Sequence, residues 1–185
     1  MVVYDGGYLS AINGRVEIKK ISRLMLFLIG RVPNKSIWFN ARNGNGNDGG
    51  FLEFLERIGI EPVMYWTKIK QHKCEECSHI TQKYIQKGVD VGIAVRIMKE
   101  LHANSFDKLV LFAGDGDFVE VAQSVIDAAK EVWIVGLSDS ISTNLRMIAS
   151  RVIEIDEYVE ICHKDDDSEA SRFAWAQIEK AIKVK

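Results

Sequence analysis

Four aspartates stand where apolar runs end or where a helical pattern begins. Asp5 closes VVYD ahead of two glycines, Asp90 lies in KGVD, and Asp115 and Asp117 belong to GDGDF directly after KLVLFA. Carboxylates gathered in this way repel, by about 4 kcal/mol at about 4 Å for an effective dielectric near 20, unless a cation neutralises them. Oxygen-only donors favour Mg²⁺ or Mn²⁺ over Zn²⁺ or copper, and such ions activate water and stabilise the leaving oxygen in phosphodiester hydrolysis. Each acid also has a simpler reading. Asp5 before GG suits a turn, Asp90 suits a helix N-terminus, and Asp115 suits a cap in a polar strand-to-helix turn. Two strand ends and a nearby helix start together point to a metal site.

Such a site needs strands whose carboxyl ends share one edge. VVYD reads as a buried strand that stops at a turn, and Ile18, Ile21, Leu24, Met25 and Leu28 mark a helical face within 16–29, stopped by Gly30 and Pro33. SIWFN has strand composition, whereas ARNGNGNDGG is too rich in Gly and Asn to hold regular structure. Phe51, Leu52, Phe54, Leu55 and Ile58 give a second helical stripe, and PVMYW a third strand. Residues 67 to 88 break this rhythm as a polar, Lys-rich insertion before helical spacing resumes from Val89 to Leu101. KLVLFAG, a helix through Val119 to Ile126, VWIVGL, a short helix from about Thr143 and VIEI complete the alternation. Apolar strands alternating with helices predict an α/β fold: a doubly wound, mostly parallel sheet with helices on both faces. In that fold, function collects outside the carboxyl ends of the strands.

The chain has 185 residues, 47% hydrophobic and 27% charged, enough for one compact core. We divide it into a domain over 1–160 and, over 161–185, an acidic linker (HKDDDSEAS) with an amphipathic helix carrying Phe173, Trp175, Ile178 and Ile182. A net charge of -2 excludes a global basic field, so any nucleic-acid site must be a local patch. The opening MVVYDGGYLS lacks the basic start and apolar run of a secretory signal, and no stretch reaches membrane-spanning length. With three cysteines, two of them in a CxxC, the pattern predicts a cytoplasmic protein with reduced thiols or bound metal.

Two secondary clusters carry chemistry. HKCEECSH offers His72, Cys74, Cys77 and His79 as zinc ligands, with Cys162 and His163 as a further pair; the alternative is an exposed polar loop. Lys68, Lys70, Lys73, Lys83 and Lys87, interleaved with Tyr65, Trp66 and Tyr84, suit the phosphates and bases of a single strand, or else form a solvated loop with two aromatics in the core. Ser142, Thr143 and Asn144 follow the fifth strand, where they could orient an attacking water or cap the next helix. NGNGND lacks the Lys-Ser/Thr of a nucleotide loop, which excludes an ATPase.

VVYDGGYL, KGVDVGIAV and KLVLFAGDGDFVEVAQ, in this order, resemble NYN domains of the PIN-like nuclease superfamily, in particular the LabA-like branch, over residues 2 to 155. The resemblance implies a PIN-like (Rossmannoid) sheet and a divalent-metal-dependent ribonuclease with Asp5, Asp90, Asp115 and Asp117 as metal-site and catalytic positions. Lys87 matches the lysine of the KGVD motif. Three positions depart from the pattern: Tyr8 where many relatives have Asn, Arg96 where many carry Asp, and Ser150 where an Asp is common before the last strand. Arg96 beside a carboxylate would substitute a fixed charge for part of the metal's role and favour binding over cleavage.

The expected function is thus an Mg²⁺- or Mn²⁺-dependent endoribonuclease acting on single-stranded RNA, with Lys83, Lys87, Ser142 and Asn144 on the substrate and zinc as a structural option. The alternative is a catalytically reduced RNA-binding or protein-interaction module, and a weaker third is a metal-dependent phosphohydrolase. The amphipathic tail is open to a homo-oligomer contact.

Overall fold

A computed structural model describes residues 1–11, 17–42, 48–73, 77, 79–159, 162, 172 and 175–176. Six parallel strands form the central sheet: β1 (Val2–Asp5), β2 (Ser36–Arg42), β3 (Glu61–Trp66), β6 (Lys108–Phe112), β7 (Glu131–Gly136) and β8 (Arg151–Glu154). Their order is β3-β2-β1-β6-β7-β8, with β1 hydrogen-bonded to β2 on one side and β6 on the other. The helices are α1 (Gly6–Ala11), α2 (Ile18–Ile29), α3 (Gly49–Arg57), α4 (Val89–His102), α5 (Val119–Asp127), α6 (Thr143–Ile148) and α7 (Asp156–Val159).

Side chains alternate across a strand, and both faces of this sheet are apolar. Val2, Tyr4, Trp38, Val110, Phe112 and Val135 pack with Ile21, Leu24 and Met25 of α2 and Leu55 of α3. Val3, Ile37, Phe39, Leu111 and Ile134 meet Ile93 and Ile97 of α4, Val125 of α5 and Leu145 of α6 on the other face. The helices therefore change faces where the strand order reverses, between β1 and β6. A doubly wound sheet opens a crevice at that point.

Most expected elements are present at close to their expected bounds, and Gly30 ends α2 in the left-handed region at φ 75°. Three segments differ. The turn expected after Asp5 is helix α1, begun by two poor helix formers. At Gly6 a Cβ would lie 2.7 Å from the Phe39 carbonyl oxygen and from the Trp38 ring, so the close approach to β2 requires glycine. The stretch expected to lack regular structure contributes Ala41 and Arg42 to β2 and Gly49 and Gly50 to α3, while 43–47 lie outside the described residues.

The third difference is larger. The insertion read as a polar loop is an antiparallel hairpin, β4 (Lys68–Lys73) and β5 (Ile80–Ile85), separate from the main sheet. Ile69 pairs with Tyr84 and Lys70 with Lys83. β-Branched residues at 69, 80, 81 and 85 carried the strand signal, which the lysines among them masked. No helix among the described residues is long and apolar enough to cross a membrane. Of the C-terminal segment, Cys162 is buried in the first core and Trp175 packs against it.

Candidate functional site

β1 and β6 end side by side at the switch point, so the residues that follow each strand face one crevice. Asp5 is the last residue of β1 and is 9% exposed. Its Oδ1 accepts the Tyr8 amide at 3.1 Å, closing the first turn of α1. After β6 the chain makes a tight turn in which Asp115 Oδ1 accepts the Asp117 amide at 3.0 Å and a 3₁₀ turn spans Gly116–Phe118. Gly114 allows this turn to pass the neighbouring loop, since a Cβ there would lie 2.2 Å from the Ser140 carbonyl oxygen. Asp115 thus performs the capping expected of it, and Asp5, expected in a turn, instead closes the first turn of a helix, each through one carboxylate oxygen.

Asp90 reaches the same place from another direction, in the first turn of α4. Two of the four carboxylates, Asp5 and Asp90, respond to the charges of their neighbours. Loss of hydration, then Asp90 and Asp115, raises the Asp5 pKa above the ordinary carboxylate value against the lowering effect of the Tyr8 amide. Asp90 is raised by partial burial and then by Asp115 and Asp117. Among the described residues none of the four is salt-bridged to a Lys or Arg.

Among the described residues no three His, Cys, Asp or Glu side chains are gathered closely enough to enclose an ion directly. The donor set nonetheless fits a hard cation such as Mg²⁺, which keeps much of its water and is commonly held by one or two carboxylates together with substrate phosphates. Asp5, Asp90, Asp115 and Asp117 are the residues that could hold it.

Four further residues bear on the crevice, one of them unforeseen. Ser142 Oγ accepts the Leu145 amide at 3.2 Å and so caps α6, while also lying beside Gly116. Asn144 is exposed on that helix, and Lys87 is exposed just ahead of α4. Gln86 was not singled out by the sequence. A Cβ on Gly7 would be 3.2 Å from Asp5 Oδ1 and 3.3 Å from Gln86 Oε1, which places this amide beside the buried acid. It directly follows β5 of the hairpin.

The three departures have structural explanations. Tyr8 donates or accepts a hydrogen bond with Ser140 Oγ, and its hydroxyl accepts the Leu137 amide at 3.0 Å. Gly136 makes room for that hydroxyl, 2.2 Å from where a Cβ would stand. Arg96 does not pair with the aspartate cluster. It donates to both Glu61 oxygens at 2.9 and 2.7 Å and to Glu100 at 2.9 Å, six residues or about 9 Å along α4 from Asp90. Ser150 precedes β8 and its Oγ accepts the Val132 amide at 3.0 Å, so it occupies the opposite edge of the sheet from the acids.

Of the zinc set, Cys77 and His79 are exposed near the hairpin tip, the side chain of His72 and all of Cys74 lie outside the described residues, and so does His163. Cys162 does not supply a further ligand. It is 2% exposed, and burial pushes its thiol up to about 12, which keeps it neutral among apolar neighbours. The side chain of Lys83 is likewise outside the described residues.

The raised carboxyls give a pH prediction. An acid whose folded pKa is raised destabilises the fold when ionised, and that penalty disappears as pH falls through the folded value. Asp5→Asn, which keeps the acceptor for Tyr8, is therefore expected to melt a few degrees above the unsubstituted metal-free protein at neutral pH, with the gap closing as pH falls through the raised pKa of Asp5 toward the ordinary carboxylate range. The Met1 amine, pushed down to about 6 by burial, titrates in the opposite sense in both proteins and cancels from the difference. A gap that widens on acidification would contradict the placement of Asp5.

Comparison with solved structures agrees with the fold. A protein of unknown function from Vibrio parahaemolyticus is similar, with a TM-score of 0.60 at 15% identity, covering 84% of this chain and 92% of that one. A 3-dehydroquinate dehydratase-like protein from Bifidobacterium longum aligns over 80% of this chain and 99% of that one at 13% identity, but its TM-score of 0.28 carries no argument. No functionally curated protein matches the chain. The model of the NYN domain matches residues 1–156, all six strands of the sheet with all four aspartates, and the chain therefore belongs to the NYN domain family, of PIN-like nuclease fold.

Proposed function

We propose that this protein is a divalent-metal-dependent ribonuclease of the LabA-like branch, cleaving single-stranded RNA. The observation that carries this reading is the convergence of Asp5, Asp90, Asp115 and Asp117 at the switch point, from two strand ends and a helix start, close enough that the others' charges help to raise Asp5 and Asp90. Bound Mg²⁺ or Mn²⁺ would supply an activated water and stabilise the leaving oxygen. The chain's own part is to hold the acids. The Tyr8 and Asp117 amides fix the orientation of Asp5 and Asp115, and burial of Asp5 keeps bulk water from screening it. Lys87, on the exposed approach, offers a charge to the scissile strand's phosphates.

A second reading, a catalytically reduced RNA-binding module, is favoured by Tyr8. Its hydroxyl is committed to Leu137 and Ser140, joining the loop after β7 to α1 where many relatives have a smaller side chain.

Purified protein incubated with end-labelled single-stranded RNA separates the two. Cleavage in Mn²⁺ or Mg²⁺ that stops in EDTA is expected from the ribonuclease. RNA that stays intact under every metal while still being retained would select the binding module.

A further inference from the structure

The β4–β5 hairpin has no place in the sheet or in either core, and it is the feature of the fold that the acid site does not account for. A two-stranded ribbon with both faces in water is marginal by itself. Here one strand pair exposes apolar side chains, with Ile69 and its register partner Tyr84 at 55% and 44%. Lys68 and Lys70 are exposed on the same strand as Ile69, and neither is salt-bridged among the described residues. Lys68 and Lys70 fall on one face of β4, two like charges that an anion would bridge.

Charge makes the same point at larger scale. Residues 66 to 88 hold five lysines and two glutamates, on a chain whose net charge is -2. Basic charge is thus concentrated on one projecting arm. The arm also leads to the acids: Tyr84, Gln86, Lys87 and Asp90 follow within seven residues, and Gln86 lies beside Gly7 and Asp5.

We infer that the β4–β5 hairpin is a binding arm for a single-stranded polynucleotide that crosses the edge of β4, with Lys68 and Lys70 on its phosphates from one face and Tyr84 stacking on a base from the other, feeding the strand toward Asp90. That the strand is RNA rests on the ribonuclease reading above; the arm itself rests on charge, exposure and register. A polynucleotide offers the lysines one negative charge per nucleotide, a far denser line of charge than a second copy of a chain with net charge -2. Stacking on Tyr84 requires a free base face, which a duplex does not present.

The test is fluorescence anisotropy of a short labelled single-stranded RNA in EDTA, where cleavage cannot interfere. The proteins are the full chain, the double variant Lys68→Ala with Lys70→Ala, and Tyr84→Ala, each checked for an unchanged melting temperature. Binding is expected to weaken about tenfold in Tyr84→Ala. The double-lysine variant should lower the salt dependence, log Kd against log salt, by about 1.4, the release expected for two phosphate contacts on a single strand. A duplex of the same sequence should bind more weakly than the strand.

Unchanged affinity and unchanged salt slope in both variants would overturn the arm. So would loss of self-association in the same variants with RNA binding intact, which would make the ribbon a contact between copies. Arm-dependent binding by a protein that cleaves nothing in metal would uphold the arm while removing the ribonuclease.

Discussion

Asp115→Ala is expected to lower metal-dependent RNA cleavage by at least about 100-fold, with no loss of the folded state; Asp5→Asn should do the same. Asp115 sits just beyond the ends of the two central strands, and after partial burial its charge helps to raise the Asp90 pKa. Removing it deletes a donor oxygen and the anchor of the Asp117 amide together. The fold should survive because Asp115 is exposed and the buried Phe118 that follows still pins the turn to the second core. Asp5→Asn is the cleaner probe. It keeps the size of the side chain and the bond from Tyr8 while withdrawing one negative charge from the crevice. Initial rates in Mn²⁺, read beside a thermal melt, check both variants. Full activity in either would remove the aspartate cluster from the chemistry.

Arg96→Asp, which installs an acid that many relatives carry at this position, is expected to destabilise the protein by about 3 kcal/mol. That corresponds to roughly 6–12 °C in melting temperature for a chain of this size. In the present structure Arg96 bridges Glu61 and Glu100. Glu100 is buried and is held down to about 2, chiefly by Lys35, whose ammonium meets both its oxygens at 2.6 Å, and by Ser105 and Arg96. An aspartate at 96 would stand beside two carboxylates and return the charge of Glu100 to Lys35 alone. Arg96→Met should cost less, about 1–2 kcal/mol, because its chain still covers the same surface. Its rate per folded molecule should be that of the unsubstituted protein, since position 96 is about 9 Å down the helix from Asp90. A gain of activity in Arg96→Asp would overturn this account.

The network explains why the exchange at 96 was misread from sequence. A charged residue six positions after Asp90 looks like a neighbour of the site, but its partner is Glu61 at the start of β3, which enters from the opposite edge of the sheet. Ser150 stands before the last strand as expected, but which edge of the sheet that is depends on the strand's direction. Its distance along the chain from the acids says nothing about which end of a parallel strand it occupies. The helix at Gly6 was hidden because glycine is a poor helix former, and the need for it arises only from the Trp38 ring and Phe39 carbonyl lying against it. Gln86 carried no signal at all, because its proximity to Asp5 depends on where the hairpin returns the chain.

What the sequence determined by itself was everything that depends on local pattern. Runs such as KLVLF and EVWIVG have one stable use, as strands buried on both faces, and Ile21, Leu24 and Met25 can share a face only on a helix. Alternation of the two leads to a parallel sheet, and a parallel sheet puts Asp5 and Asp115 at one edge. Tertiary structure alone decided which strands are neighbours, and hence that Asp5 and Asp115 flank a single crevice with Asp90 across from them. It also decided that Arg96 belongs to Glu61 and Glu100, that Cys162 is a core side chain, and that the lysine-rich insertion stands out as a ribbon. The physical reason is range. Periodicity and capping act over a few residues, whereas strand order, ion-pair partners and the neighbours of a buried carboxylate are set by contacts between residues far apart in the chain.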